Sequence, residues 1–233
     1  MNISKTAITA LTLLSAVSLM AAADGGCPVA NNVFGHENTE WQRAYAYNLT
    51  DAKRNLPRVL LIGDSIVNGY AGGVRQRLDR RMNISFWISS FCVTGPNYLK
   101  YLALHLEEGK YDVIHFNNGL HSLGTDTAKW ASALEEALLL IRRKQPQARL
   151  IWATSTPINE ARSRDPAVRT AKVAELNAAG AKVVAKLGGI ETDDLFALMK
   201  NLDRNKYWSD AFHFRKEGVT MLADRVAAMC LPF

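Results

Sequence analysis

The stretch RVLLIGDS, residues 58–65, decides the fold. Its apolar residues at 59–62 form a short continuous run, as expected for a strand that is buried on both faces of a parallel sheet. Gly63 ends the run, and Ser65 stands at the turn into a helical segment. Such a turn places a serine among the free N–H groups of a helix N-terminus, where negative charge is stabilised. Ser65 is therefore a candidate nucleophile.

Strand-like and helix-like segments alternate along the rest of the chain. Further strands are predicted at 84–88, 112–116, 150–153 and 190–192, and helices at 74–82, 98–108, 125–144, 168–187 and 216–229. This alternation predicts an α/β fold, in which a mostly parallel five-stranded sheet lies between two layers of helices. Sheets of this kind carry their sites beyond the carboxyl ends of the strands.

The first 23 residues have the pattern of a secretory signal peptide. Lys5 precedes an apolar run at 7–20, and the alanines at 21–23 offer a cleavage site. We expect cleavage near Ala23 and an exported protein, periplasmic or secreted, with an N-terminal extension at 24–57 and one domain at 58–233. No later stretch approaches the roughly 20 apolar residues of a membrane span, so stable membrane insertion is not expected.

Cysteines and charge give weaker indications. The three cysteines are Cys27, Cys92 and Cys230, and export would permit one disulfide, for which we expect Cys27 and Cys230 near the two ends of the mature chain. The net charge of +6 is scattered, without interleaved aromatic residues. A nucleic-acid partner is therefore not expected, and the oligomeric state stays open.

A second motif, Asp210-Ala211-Phe212-His213, stands just before the last predicted helix. A histidine can take the proton of a serine, and a carboxylate can hold the histidine in the right tautomer. Ser65, His213 and Asp210 thus form a candidate catalytic triad. No ligand spacing predicts a metal or another cofactor, and the pair Asp193-Asp194 indicates a helix start.

Taken in order, these motifs resemble those of the SGNH hydrolase family, the GDSL-like esterases and lipases with a flavodoxin-like fold. Gly63-Asp64-Ser65 resembles the first block of the family, and Asp210-x-x-His213 resembles the last. Gly95 is the best candidate for the glycine of the second block. Gly119-Leu120-His121 resembles the third block, which is Gly-x-Asn-Asp in the family, so His121 stands where the family has an asparagine.

The resemblance implies an oxyanion hole built from the N–H groups of Ser65 and Gly95 and from a side chain of the third block. Each such donor contributes roughly 2.7–4 kcal/mol to lowering the barrier. His121 can donate through a ring N–H, and Asn117 and Asn118 are the alternatives. A hole with fewer donors also stays open.

The resemblance further implies a serine esterase that cleaves carboxylic esters through an acyl-enzyme. Export, the lack of a lid-like insertion and the aromatic residues near His213 favour short acyl groups, acetyl above all, on carbohydrates. Asp64, Trp208 and Phe212 are the candidate substrate-binding residues. The alternatives are a lysophospholipase or thioesterase-like hydrolase of longer acyl chains, an O-acyltransferase with the same triad, and a binding module on a decayed hydrolase fold.

Overall fold

The computed structural model describes residues 40–45, 55–165 and 168–231. Within these ranges six strands form one sheet in the order β1-β3-β2-β4-β5-β6. Strands β2 to β6 run parallel, and β1 pairs antiparallel with β3. The strands are β1 Gln42–Tyr45, β2 Arg58–Gly63, β3 Asn83–Ser89, β4 Val113–Phe116, β5 Arg149–Ala153 and β6 Glu191–Asp193.

The predicted α/β fold with a mostly parallel sheet is confirmed, but the sheet has one strand more than predicted. The additional strand, β1, lies within residues 24–57, the predicted N-terminal extension. All four of its residues are exposed, so the strand has no buried apolar face that an alternating pattern could have indicated. Residues 1–23, with the predicted signal peptide, lie outside the described residues.

Helices connect and cover the strands. They are α1 Ser65–Arg77, α2 Tyr98–Glu107, α3 Thr127–Lys144, α4 Thr170–Leu187, α5 Leu195–Lys200, α6 Arg204–Tyr207 and α7 Lys216–Cys230. Among the described residues, no helix is both long and apolar enough to cross a membrane.

Helix α1 corrects the helix predicted at 74–82, because it begins at Ser65 and ends at Arg77. The carboxylate of Asp64 accepts the N–H of Ile66 at 2.9 Å and caps the helix there. Glycines at 69, 72 and 73 weaken the helical pattern in the sequence. Asp194 caps α5 in the same way, with the Ala197 N–H at 2.9 Å, so it is a helix start as predicted.

Each face of the sheet is covered by an apolar core. Val59 and Leu61 of β2 pack with residues of α1 and α7 on one face. Leu60 and Ile62 pack with residues of α2, α3 and α4 on the other. Alternate residues of β2 thus enter different cores, which explains why the strand is a continuous apolar run. Helix α1 also packs directly against α7, and this contact brings the two ends of the domain together.

A buried ionic group ties β4, β6 and α7 together. Asp193 accepts from His115 Nε2 at 3.1 Å and from Arg225 Nε at 2.6 Å, and the His115 and Asp193 side chains are fully buried. Burial by itself would raise the pKa of Asp193, but the hydrogen bonds and charges of His115 and Arg225 bring this pKa below its ordinary value.

Cys230 lies in α7, in the core that this helix shares with α1, and burial raises the pKa of its thiol to about 12. Its predicted disulfide partner, Cys27, lies outside the described residues, so the pairing stays a prediction.

Candidate active site

The turn between β2 and α1 presents Ser65 at the carboxyl edge of the sheet. Ser65 is the first residue of α1. A Cβ on Gly63 would lie 2.2 Å from Cγ2 of Val67, so a glycine is needed where the strand meets the first helical turn. Within the described residues the backbone N–H of Ser65 donates no hydrogen bond. The turn therefore offers an open donor beside the serine hydroxyl, at the positive end of the helix dipole.

The predicted triad residues lie within hydrogen-bonding distance of one another. Ser65 Oγ and His213 Nε2 are 2.9 Å apart, and His213 Nδ1 and Asp210 Oδ2 are 2.8 Å apart. An ionised carboxylate only accepts hydrogen bonds, so the ring proton belongs on Nδ1. Nε2 is then the acceptor for the Ser65 hydroxyl, as a general base requires.

Asp210 is held as a carboxylate even though its own loop partly covers it. Burial opposes ionisation of Asp210, but two backbone N–H groups, those of His213 and Phe212, donate to Oδ1 at 2.8 Å each. These bonds, together with the His213 ring, lower the pKa of Asp210 below its ordinary value. Asp210 is thus charged throughout the pH range in which a histidine acts as a base.

Neighbouring segments fix the loop that carries Asp210 and His213. Trp208 and Phe214 form an antiparallel bridge across the loop, and their rings lie 4.6 Å apart. The indole N–H of Trp208 donates to the carbonyl of Pro157 at 3.2 Å. Asn159 N–H donates to the carbonyl of Ala211 at 2.8 Å. The segment after β5 therefore supports the acid–base loop from behind.

Of the three predicted substrate-binding residues, Asp64 and Trp208 are buried and Phe212 is half-buried. Trp208 is fully buried, with the Arg204 guanidinium 4.2 Å from the centre of its ring, so it packs the loop instead of stacking on a sugar. Asp64 is buried and caps α1, and its Oδ2 has no partner among the described residues. Phe212 is half-buried and packs against the core.

The turn after β4 holds the three candidates for the side-chain oxyanion donor. Asn117 Nδ2 donates to the carbonyl of Ala153 at 2.8 Å, and Asn118 Nδ2 donates to the carbonyl of Phe91 at 2.8 Å. Asn117 Nδ2 also lies 3.4 Å from Ser155 Oγ, and the Asn118 amide hydrogen-bonds the Tyr98 side chain, so the amide donors of both asparagines are used within the fold. His121 is partly exposed, in a short 3₁₀ turn at Leu120–Ser122.

The loop after β3 carries Gly95, the predicted backbone donor. Its N–H donates to the carbonyl of Cys92 at 2.8 Å, so it could serve an oxyanion only if this bond is shared or released. Asn118 holds the same loop through two bonds, since its Oδ1 accepts the N–H of Val93 at 3.1 Å in addition to the bond to Phe91.

One supporting element was missed in the sequence. Asn177 of α4 binds the backbone of Ser155 twice, through Oδ1 at 2.8 Å and through Nδ2 at 2.9 Å, and thereby fixes the start of the segment after β5. The polar run TSTP at 154–157, directly after a buried strand, was the available signal, because it lies at the edge of the sheet where sites form.

A small, mostly apolar cavity of about 10 Å³ lies behind the nucleophile turn. Ile66 and Tyr70 of α1 line it together with Asn117 and Thr156. The hydroxyls of Tyr70 and Thr156 are buried and have no partner among the described residues. The space matches one water molecule, which these hydroxyls could bind.

In chemical terms, the arrangement contains a hydroxyl nucleophile, a base, a carboxylate that orients the base, and an open N–H beside the hydroxyl. These are the parts of an acyl-transfer site. The described ranges contain no group of three His, Cys, Asp or Glu side chains placed to hold a metal ion.

Comparison with known proteins identifies the family. Residues 61–220 match the GDSL-like lipase/acylhydrolase family. No curated protein matches the chain in sequence.

The fold is similar to several solved structures. One is the lipase/acylhydrolase from Enterococcus faecalis, with a TM-score of 0.62 and 17% identity over 75% of this chain and 95% of that one. A family two carbohydrate esterase from Clostridium thermocellum has a TM-score of 0.59 and 14% identity over 74% of this chain and 62% of that one. A carbohydrate esterase family 3 protein from Talaromyces cellulolyticus has a TM-score of 0.58 and 13% identity over 75% and 96%.

Proposed function

Since this chain belongs to the GDSL-like lipase/acylhydrolase family and is an ester-hydrolysing enzyme, we propose that it removes short acyl groups, acetyl above all, from carbohydrates. The observation that carries the catalytic part of the proposal is the hydrogen-bonded chain from Ser65 through His213 to Asp210.

In the first step Ser65 Oγ attacks the carbonyl carbon of the ester while its proton passes to Nε2 of His213. The ring becomes an imidazolium, which the Asp210 carboxylate stabilises through Nδ1. The C–O bond to the sugar then breaks, and Nε2 returns the proton to the leaving alkoxide. An acyl-enzyme on Ser65 remains.

In the second step a water molecule replaces the released alcohol. His213 Nε2 takes a proton from the water as its oxygen attacks the acyl carbon. Collapse of the tetrahedral intermediate breaks the bond to Ser65 Oγ, which takes the proton back from Nε2. The products are the carboxylic acid and the free enzyme.

The negative oxygen of both intermediates needs donors, and Ser65 N–H is the first of them. His121 is the side-chain donor we propose, because it stands at the position of the asparagine in the third block of the family and its ring N–H can donate. Gly95 N–H is the third proposed donor, and it requires its bond to Cys92 to be shared or released.

Support for a short acyl group comes from the sequence, which has no lid-like apolar insertion between its motifs. Two proteins of similar fold are carbohydrate esterases, which favours a sugar as the alcohol. Export with removal of residues 1–23, leaving the extension at 24–57 and the domain at 58–233, belongs to the same proposal.

A panel of esters tests the proposal. The mature protein and Ser65→Ala are assayed in parallel on p-nitrophenyl acetate, p-nitrophenyl octanoate and acetylated oligosaccharides. We expect hydrolysis of both acetyl substrates by the wild type, little on the octanoate, and none by the variant. Wild-type turnover in the Ser65→Ala variant would refute the nucleophile, and a preference for the octanoate would refute the short acyl group.

A further inference from the structure

A recess opens beside the loop after β3, at the edge of the sheet that carries the candidate triad. Its volume is about 50 Å³, so the recess is shallow and does not enclose a whole ligand. It therefore suits one face or edge of a single ring. Its lining residues come from the segment just before β1, from the loop after β3 and from α2. They are Glu40, Phe91, Gly95, Asn97, Tyr98 and Tyr101.

The recess combines aromatic rings with polar groups. The rings of Phe91 and Tyr101 are stacked, with their centroids 5.2 Å apart and an angle of 20° between their planes. Both side chains are half-buried, and Glu40 and Asn97 are exposed. Asn97 Oδ1 accepts from Lys100 Nζ at 3.3 Å, which leaves its amide N–H groups as donors. A carboxylate and an amide beside an aromatic surface can bind the hydroxyls of a ring whose C–H face lies on the aromatic side chains.

The position of the recess links it to the reaction. Gly95 lines it and is also the proposed backbone donor for the oxyanion. The loop after β3, which carries Phe91 and Gly95, is held in place, because Asn118 binds both the carbonyl of Phe91 and the N–H of Val93. A ring bound in the recess would thus lie beside the loop that carries the proposed oxyanion donor.

We propose that this recess is a subsite for a pyranose ring of the substrate, adjacent to the ring that carries the acyl group. Phe91 and Tyr101 supply the stacking surface, and Glu40 and Asn97 bind hydroxyls. The proposal rests on the proposed function, since it requires an acylated carbohydrate as the substrate. A long alkyl chain fits less well, because it offers no hydroxyls to the polar groups at the rim.

The test compares an acetylated monosaccharide with acetylated oligosaccharides of two to six pyranose units, with p-nitrophenyl acetate as the substrate that lacks a sugar. We expect wild-type kcat/KM to rise from one ring to two. Phe91→Ala and Tyr101→Ala should lower kcat/KM on the oligosaccharides about tenfold more than on p-nitrophenyl acetate. The backbone bond from Asn118 to residue 91 survives the Phe91 substitution.

Controls separate the subsite from folding and from the function itself. Leu104→Ala removes an exposed apolar side chain of α2 that does not line the recess, and it should leave every rate unchanged. Asn97→Ala changes only the exposed rim and should lower the oligosaccharide rate selectively. Equal losses on all substrates, or no loss in any recess variant, would overturn the subsite and leave the esterase assignment standing. Wild-type protein that cleaves p-nitrophenyl acetate but no acetylated sugar would overturn the proposed substrate, and the subsite with it.

Discussion

The side chain of Asn118 and the carbonyl of Phe91 are joined by an N–H···O bond of 2.8 Å, which ties the turn after β4 to the loop after β3. The two segments come from strands that are not neighbours in the sheet, since β2 lies between β3 and β4. One buried amide therefore spans the strand that delivers Ser65, and it holds the loop of Gly95 on one side to the turn of His121 on the other.

Asn118→Ala should destabilise the protein and disturb the site. The variant leaves the Val93 N–H and the Phe91 carbonyl without their partner, at a cost of about 1–3 kcal/mol per unsatisfied buried group. Urea unfolding measures this cost, and kcat on p-nitrophenyl acetate should fall as the loop moves. Asn205→Ala is the matched control, because this exposed asparagine makes no side-chain hydrogen bond among the described residues. Equal unfolding midpoints for the two variants would contradict the role of Asn118.

Asp210→Asn should lower kcat roughly 10³–10⁴-fold with little effect on folding. The amide would present N–H groups to His213 Nδ1 and favour the tautomer that carries its proton on Nε2, which cannot accept from Ser65. The measurement is kcat on p-nitrophenyl acetate, with circular dichroism as the check on structure. A loss smaller than tenfold in a folded variant would show that Asp210 does not orient the base.

His121→Ala should lower kcat about 10²–10³-fold if the ring donates to the oxyanion. His121→Asn should recover part of this loss, because an amide N–H can donate from the same turn. If His121 had only a structural role, the substitutions would shift the unfolding midpoint, but kcat would not differ between His121→Ala and His121→Asn. Full activity in folded His121→Ala would remove His121 from the oxyanion hole.

Asp193→Asn should destabilise the protein in a manner that depends on pH. The folded-state pKa of Asp193 lies below its ordinary value of about 3.9, so the ionised group stabilises the fold above that pH, and the stabilisation is lost as the pH falls through the folded-state pKa. Removing one partner of a buried ion pair costs about 3–5 kcal/mol. The difference in unfolding free energy from wild type should therefore be large at pH 7 and shrink below pH about 4.

Asp224→Asn serves as the control for this measurement. Its carboxylate pairs with Arg77 on the surface, where solvent screens the charge, so the substitution should change stability little at either pH. An Asp193 variant that behaved like the Asp224 variant would mean that the buried group contributes no pH-dependent stability.

The parts of this protein that could be predicted from sequence are those governed by local pattern. The apolar run of β2 marks a strand with two buried faces, and Asp210 and His213 lie close enough in the chain to pair within one turn. The exposed strand β1 leaves no such pattern. The hydrogen bonds of the Asn118 side chain could not be predicted either, because they depend on where two loops meet in space. Trp208 shows the same limit, since an aromatic residue beside a catalytic loop can either face the substrate or pack beneath the loop.

The packing of α7 on α1 has a consequence for how activity returns when the protein refolds. Asp210 and His213 can pair through a few local bonds, but His213 meets Ser65 only when α7 docks on α1. A chain with its sheet formed and α7 undocked would hold a nucleophile and a base that never touch. Hydrolysis regained after dilution from urea would thus time one long-range docking event, whereas far-ultraviolet circular dichroism would follow the formation of secondary structure.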